Sequence, residues 1–229
     1  MHQETLLAKL SQHTARVTVI GLGYVGLPLL VDVAKAGFHV TGYDLSEERA
    51  ESVNQGRSYI KDVPDSALAE LRHKGRIDAT TDPGCLGLAD VVIICVPTPL
   101  NKSRSPDNSY IVAAAEALLP RLHPGMLVVL ESTTFPGFTR EVLLPRLSGS
   151  GLKVGHDFFL SFSPERVDPG NERFQTKNTP KVVGGMTPAC LTMIRALYSE
   201  VMERLVPVSS TDAAEMVKLL ENTFRAVNI

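Results

Sequence analysis

Three glycines, Gly21, Gly23 and Gly26, are spaced G-x-G-x-x-G. They follow the apolar run Val17-Thr18-Val19-Ile20 and precede a run with helical spacing from Leu27 to Ala36. A strand, tight turn and helix start of this kind bring backbone N–H groups and the positive end of a helix dipole to one point, which suits a pyrophosphate. Gly21 permits the sharp turn, Gly23 lets phosphates approach the backbone, and Gly26 lets the helix pack closely on the strand. Asp44 ends a second strand, Phe38 to Tyr43, about 20 residues past the glycines, where this fingerprint wants a carboxylate for ribose hydroxyls. The plainer reading is an ordinary strand–helix–strand unit with Asp44 as a helix cap. An acid at this point favours NAD over NADP, because it repels a 2′-phosphate; Arg49 complicates that preference, since it could reach one.

Further polar groups stand where later strands end. Ala89 to Val96 runs into Pro97-Thr98-Pro99, a stiff segment that offers one hydroxyl at a fixed place. Thr98 is therefore a candidate contact to the nicotinamide half of the cofactor, or part of a plain turn. The strand Met126 to Leu130 ends at Glu131-Ser132-Thr133-Thr134, and Phe158 to Phe162 ends at Ser163-Pro164-Glu165-Arg166. Near the C-terminus, Lys218, Asn222 and Arg225 recur at i, i+4 and i+7 and share one helix face. That face is either a solvated stripe or a place where an ammonium and an amide bind a substrate anion or oxyanion.

Strands and helices alternate along the chain, which predicts an α/β fold: a doubly wound, mostly parallel, Rossmann-like sheet over residues 1–208, followed from 209 to 229 by the start of a long central helix. Ser46 is a plausible N-cap with Glu47 and Glu48 in the first turn of a short helix. Further helices are expected over Pro64–His73, Tyr110–Leu122, Thr139–Leu147 and Pro188–Val201, and further strands over Arg76–Thr80, Lys181–Gly185 and Leu205–Val208. Ser210-Thr211-Asp212 caps the last helix, whose apolar residues Met216, Leu219, Leu220, Phe224 and Val227 follow helical spacing. It reaches Ile229 without a stop signal, so it reads as cut, with part of an apolar face uncovered.

Composition excludes several classes. The 229 residues are 44% hydrophobic, enough for a substantial core, and 23 basic against 25 acidic residues give a net charge of -2. That balance makes no case for nucleic acid or an anionic membrane. No apolar run approaches the roughly 20 residues of a membrane span, and Met1 to Ala15 is polar and mildly amphipathic, without the apolar centre of a signal peptide. A cytoplasmic location is expected. Cys85, Cys95 and Cys190 fit no zinc or disulfide pattern, the histidines are scattered, and no metal is assigned.

The motifs Gly21-Leu22-Gly23-Tyr24-Val25-Gly26-Leu27-Pro28, Val96-Pro97-Thr98-Pro99, Glu131-Ser132-Thr133, Ser163-Pro164-Glu165-Arg166 and Glu215-Met216-Val217-Lys218 with Asn222 occur in this order. Together they resemble the UDP-glucose/GDP-mannose dehydrogenase family from about Arg16 to Ile229. Within it, Ser163 to Asn171 looks like the UDP-N-acetylglucosamine 6-dehydrogenase branch, because glucose-type members usually carry Phe-Leu at Arg166-Val167. The resemblance implies oxidation of a sugar C6 alcohol to a carboxylate with two NAD, through a cysteine-bound thioester. It implies cofactor contacts at Gly21, Gly23, Tyr24, Val25, Gly26, Asp44, Arg49, Val96, Pro97, Thr98 and Thr133. Thr133 also belongs to the implied catalytic set. Glu165 would assist proton movement and thioester hydrolysis. Lys218 and Asn222 would stabilise alkoxide and oxyanion character at C6, and Arg166, Val167 and Arg225 would touch the UDP-sugar. It also implies a homodimer through the last helix.

The family's nucleophile sits in a Gly-Gly-x-Cys-x-Pro context that none of the three cysteines has. The chain therefore reads as the N-terminal NAD-binding part of such an enzyme, inactive by itself. Two other readings stand beside it. One is a hydroxyacid dehydrogenase of the 6-phosphogluconate type, which shares the Lys-x-x-x-Asn helix; Ser163 to Arg166 argues against it. The other is a non-catalytic NAD-binding module, against which Glu165, Lys218 and Asn222 argue.

Overall fold

The computed structural model describes residues 2–101, 106–165 and 179–228. Its strands are short, apolar and mostly buried on both faces, as parallel strands covered by helices must be. In chain order they are β1 (Arg16–Ile20), β2 (His39–Tyr43), β3 (Ile77–Thr80), β4 (Val91–Ile94), β5 (Leu127–Leu130), β6 (Phe159–Phe162), β7 (Lys181–Gly185) and β8 (Leu205–Pro207). They form one sheet in the order β3-β2-β1-β4-β5-β6-β7-β8. Strands β1 to β6 pair in parallel, β7 runs antiparallel to β6, and β8 is parallel to β7. Strand β1 lies between β2 and β4, so the winding direction reverses there. A crevice at the carboxyl ends of the strands belongs at such a reversal.

The helices are α1 (His2–Ser11), α2 (Gly26–Lys35), α3 (Glu47–Asn54), α4 (Asp65–His73), α5 (Ser109–Leu118), α6 (Leu144–Ser148), α7 (Pro188–Ser199) and α8 (Thr211–Asn228). One core unites Leu6 and Leu10 of α1, Leu27 and Leu30 of α2, Leu68 of α4 and Ile194 and Leu197 of α7 with Val17, Val19 and Val40 of the sheet. On the other face, Ile111 and Leu118 of α5 and Leu147 of α6 pack on Ile20, Val92, Ile94 and Val128. Ser46 caps α3 by accepting from the Arg49 N–H at 3.3 Å, and Thr187 caps α7 through the Cys190 N–H.

Three details depart from the reading of the sequence. The polar stretch at the N-terminus folds as α1, held by Leu6 and Leu10 and by an ion pair of Lys9 with Asp90 at 2.5 Å. Helix α5 stops at Leu118 and tightens into a 3₁₀ turn over Leu119–Arg121, because Pro120 has no N–H to continue it. The next helix begins as a π-helical turn over Thr139–Leu143, ahead of Pro145, which lacks the N–H that an α-turn needs.

Candidate active site

The glycine turn opens onto a cleft of about 680 Å³ at the carboxyl ends of β1, β2, β4, β5 and β6. Gly21 takes φ +91°, and its N–H donates to the Tyr43 carbonyl at 2.8 Å. A Cβ on Gly26 would stand 1.8 Å from the Gly21 carbonyl oxygen, so only glycine lets α2 start this close to β1. A Cβ on Gly23 would meet no protein atom within 4 Å; it would project into open space where the turn lines the cleft. Val25 at the start of α2 carries no side-chain cap, which leaves the helix N-terminus to an anion. These features fit a dinucleotide pyrophosphate.

The carboxylate of Asp44, at the end of β2, is buried and fixed by three donors. The Leu22 N–H reaches Oδ2 at 2.7 Å, the Ser46 N–H reaches Oδ1 at 2.9 Å, and Arg49 Nη1 reaches Oδ2 at 3.3 Å. The acid is thus tied to the glycine turn itself. The Arg49 guanidinium also lies 5.9 Å from the Tyr59 ring centroid, and the Tyr59 hydroxyl donates to the Leu22 carbonyl at 2.8 Å. Burial, helped by the Asp44 charge, pushes the Tyr59 hydroxyl above the ordinary tyrosine value, so it stays a donor. Arg49 lines the cleft while paired to Asp44.

From the turn the cleft runs past Val96, Pro97 and Thr98 to Glu131, Ser132, Thr133 and Glu165. Ser132 Oγ donates to the Val96 carbonyl at 2.7 Å, which ties the end of β5 to the Pro97 segment. Cys95 lies in the floor; burial pushes its thiol well above the ordinary cysteine value. Burial likewise pushes Cys85 up to about 11. Neither environment makes a thiolate nucleophile.

Helix α8 brings Lys218 against the end of β6, where its ammonium donates to the Glu165 carbonyl. Burial lowers the Lys218 pKa from the ordinary lysine value, although Glu165 and Glu221 pull it up. Lys218 reaches Glu165 without itself lining the cleft, and Asn222 and Arg225, further along the same helix, are exposed and do not line it either. Arg166 and Val167 lie outside the described residues. Tyr24 and Val25, by contrast, line the cleft directly.

Beneath Glu165 lies a buried group that reading the sequence missed. Lys181, first residue of β7, donates to Glu131 Oε2 at 2.8 Å, and the Tyr198 hydroxyl of α7 donates to Glu131 Oε1. Burial works against the Lys181 ammonium, yet Glu131 and Glu165 outweigh it, so its pKa lies above the ordinary lysine value. No motif marks this set, because its members come from three elements; a lysine heading the buried strand Lys181-Val182-Val183 was the one available signal. Among the described residues, no three His, Cys, Asp or Glu gather as a metal site, and no helix is long and apolar enough to cross a membrane.

A doubly wound sheet with a glycine turn, a ribose-side acid and a cleft at the strand reversal defines a dinucleotide-binding domain. Residues 15–202 match the NAD binding domain of the UDP-glucose/GDP-mannose dehydrogenase family, and the chain belongs to that family. It is 37% identical over 216 residues to UDP-N-acetyl-D-glucosamine 6-dehydrogenase of Pseudomonas aeruginosa, covering 93% of this chain and 50% of that protein. It is 35% identical over 215 residues to UDP-N-acetyl-D-mannosamine dehydrogenase of Pyrococcus horikoshii, covering 93% and 51%. Among solved structures, the UDP-D-ManNAc dehydrogenase from Pyrococcus horikoshii superposes with a TM-score of 0.87 at 36% identity, over 93% of this chain and 51% of that one. The chain spans about half the length of the relatives it matches.

Proposed function

We propose that this chain is the cofactor half of a nucleotide-sugar 6-dehydrogenase, which oxidises the C6 alcohol of UDP-N-acetylglucosamine or a related UDP-sugar to the uronate for polysaccharide assembly. The observation that carries this reading is the contact of Lys218 with the backbone carbonyl of Glu165, a residue that lines the cleft together with Asp44. NAD, when bound, supplies the hydride acceptor. The glycine turn and Asp44 hold its pyrophosphate and adenosine ribose, and Thr98 and Thr133 flank its reactive end. Lys218, with Asn222 one turn on, stabilises negative charge on the sugar C6 oxygen, and Glu165 accepts the proton. Arg166, Val167 and Arg225 serve the UDP-sugar. Residues 209–229 begin the central helix, whose exposed face forms a homodimer in the cytoplasm.

None of Cys85, Cys95 or Cys190 stands in the Gly-Gly-x-Cys-x-Pro context of the family's nucleophile. The chain alone should therefore bind NAD without reducing it. Calorimetric titration with NAD and NADP, followed by an assay of NADH formation with UDP-N-acetylglucosamine, tests this. Tighter NAD than NADP binding and no turnover are expected. NADP binding as tight as NAD, or turnover by this chain, would put the chemistry on other residues.

A further inference from the structure

The reversal of the sheet between β6 and β7 sets a strand-opening lysine beside the cleft. Ser161 pairs with Gly185 and Phe162 with Gly184, so the antiparallel ladder, continued outward, carries Glu165 towards Lys181. In a parallel strand a first residue would lie at the opposite end of the sheet. Here Lys181 Nζ lies 3.8 Å from Glu165 Oε2 as well as 2.8 Å from Glu131 Oε2. It also faces the Tyr198 ring, 5.2 Å from the centroid.

Lys181 is only 4% exposed and Glu131 only 1%. A buried ammonium needs a carboxylate, and Glu131 by itself would neutralise this one. The second carboxylate in reach is that of Glu165, which lines the cleft as Glu131 does. Among the described residues, the charged or titratable groups facing Glu165 include Lys181 and Glu131 from the sheet, Tyr198 from α7, Cys95 from the cleft floor and Lys218 from α8. Lys218 engages the Glu165 backbone carbonyl. Among the described residues, Lys181 is a cation within ion-pair distance of the Glu165 side-chain oxygen, at 3.8 Å.

We propose that Lys181 is a positioning residue that holds the Glu165 carboxylate at the cleft from beneath, through an ion pair whose other end is locked to Glu131 and Tyr198. It touches neither cofactor nor sugar. The inference rests on Glu165 as the proton-accepting carboxylate of the proposed function.

The test is the carboxyl carbon resonance of Glu165 in this chain, labelled with carbon-13 glutamate and assigned by its loss in Glu165→Gln. Lys181→Met alone would strand the Glu131 carboxylate in the interior, so Glu131→Gln is compared with Glu131→Gln/Lys181→Met; both lack the Glu131 charge. The Glu165 resonance should shift and broaden in the double variant relative to Glu131→Gln, as the carboxylate loses the cation that fixes it. The same position and width in the two variants would overturn the inference. Whether Glu165 accepts the proton in turnover is read separately, from the rate of Glu165→Gln in an enzyme that carries this sequence as its cofactor half.

Discussion

The Glu215 carboxylate of α8 caps the chain at Thr139. Its Oε1 accepts from the Thr139 N–H at 2.9 Å and from the Thr139 hydroxyl at 2.6 Å, and its Oε2 accepts from the Gly137 N–H at 2.6 Å. The pair is buried, and it fastens the helix that bears Lys218 to the segment that follows Thr133. Removing the acceptor takes it from these three donors and from the Thr134 hydroxyl, 3.4 Å from Oε1, at roughly 1–3 kcal/mol per unsatisfied group. Glu215→Ala should therefore lower unfolding stability by about 3 kcal/mol or more in a denaturant titration. A loss too small to measure would mean that α8 is held by other contacts.

The same carboxylate gives stability a pH slope. Burial pushes the Glu215 carboxyl above its ordinary value of 4.5, against the hydrogen bonds from Thr139 and Gly137. Between 4.5 and the raised native value, the unfolded chain has released a proton that the native chain retains, so stability falls as pH rises through that window. Glu131, also raised by burial, adds a slope of the same sign. Denaturation midpoints of Glu215→Gln across weakly acid pH should fall less steeply than those of the unsubstituted chain; identical slopes would remove Glu215 as their source.

Gly23 and Gly26 separate binding from folding. Gly23→Ala adds a Cβ that meets no protein atom within 4 Å, so the thermal midpoint should hold while NAD affinity drops by roughly tenfold, about 1.4 kcal/mol. Gly26→Ala puts a Cβ 1.8 Å from the Gly21 oxygen and should cost about 3 kcal/mol of stability through overpacking. Calorimetry and thermal melts of both variants read the difference. Loss of stability in Gly23→Ala with affinity unchanged would contradict the assignment.

In an enzyme that carries this sequence as its cofactor half, Lys218→Ala should slow NADH formation by about 10²-fold or more, the scale of one preorganised oxyanion donor. NAD affinity should stay nearly unchanged, because the ammonium is assigned to the C6 oxygen. Steady-state kinetics beside NAD titration decides. An unaltered rate would leave Lys218 as a helix-anchoring residue that holds the Glu165 carbonyl.

Helix α8 leaves Leu220 and Phe224 each 67% exposed and Val227 79% exposed on one side. Such an uncovered apolar stripe favours association. The chain should sediment as a concentration-dependent dimer, and Leu220→Glu/Phe224→Glu should sediment as a monomer with its NAD affinity intact. A monomer before substitution would remove this face from the dimer.

The cofactor end of the site was legible in the sequence because its physics is local. Three glycines, one turn and one acid lie within a single β–α–β unit, and Gly26 answers a steric demand of that unit, where a Cβ would meet the Gly21 carbonyl oxygen. The strands were legible because burial on both faces demands unbroken apolar runs such as Val91–Ile94. The far end was less so. Lys218 could be placed on a helix face, but its contact with Glu165 spans 53 residues. Glu131, Lys181 and Tyr198 meet only when β5, β7 and α7 assemble. Asn222 and Arg225 share a helix face with Lys218, yet the helix carries them out beyond the cleft. Helix α1 was hidden because it buries only Leu6 and Leu10 of an otherwise largely polar stretch.

That first helix also bears on how the chain matures as it leaves the ribosome. Strands β1 and β2 can pair as soon as they emerge, but α1 docks on α7, and His13 meets Glu200 across 187 residues of sequence. Closing so long a loop comes after the local units have formed. Helix α1 thus finds its seat only after α7 has been made, and until then Leu6 and Leu10 remain open to chaperones and proteases. A bulky domain fused ahead of His2 should hinder this late docking while leaving the glycine turn, built from consecutive elements, to form on its own schedule.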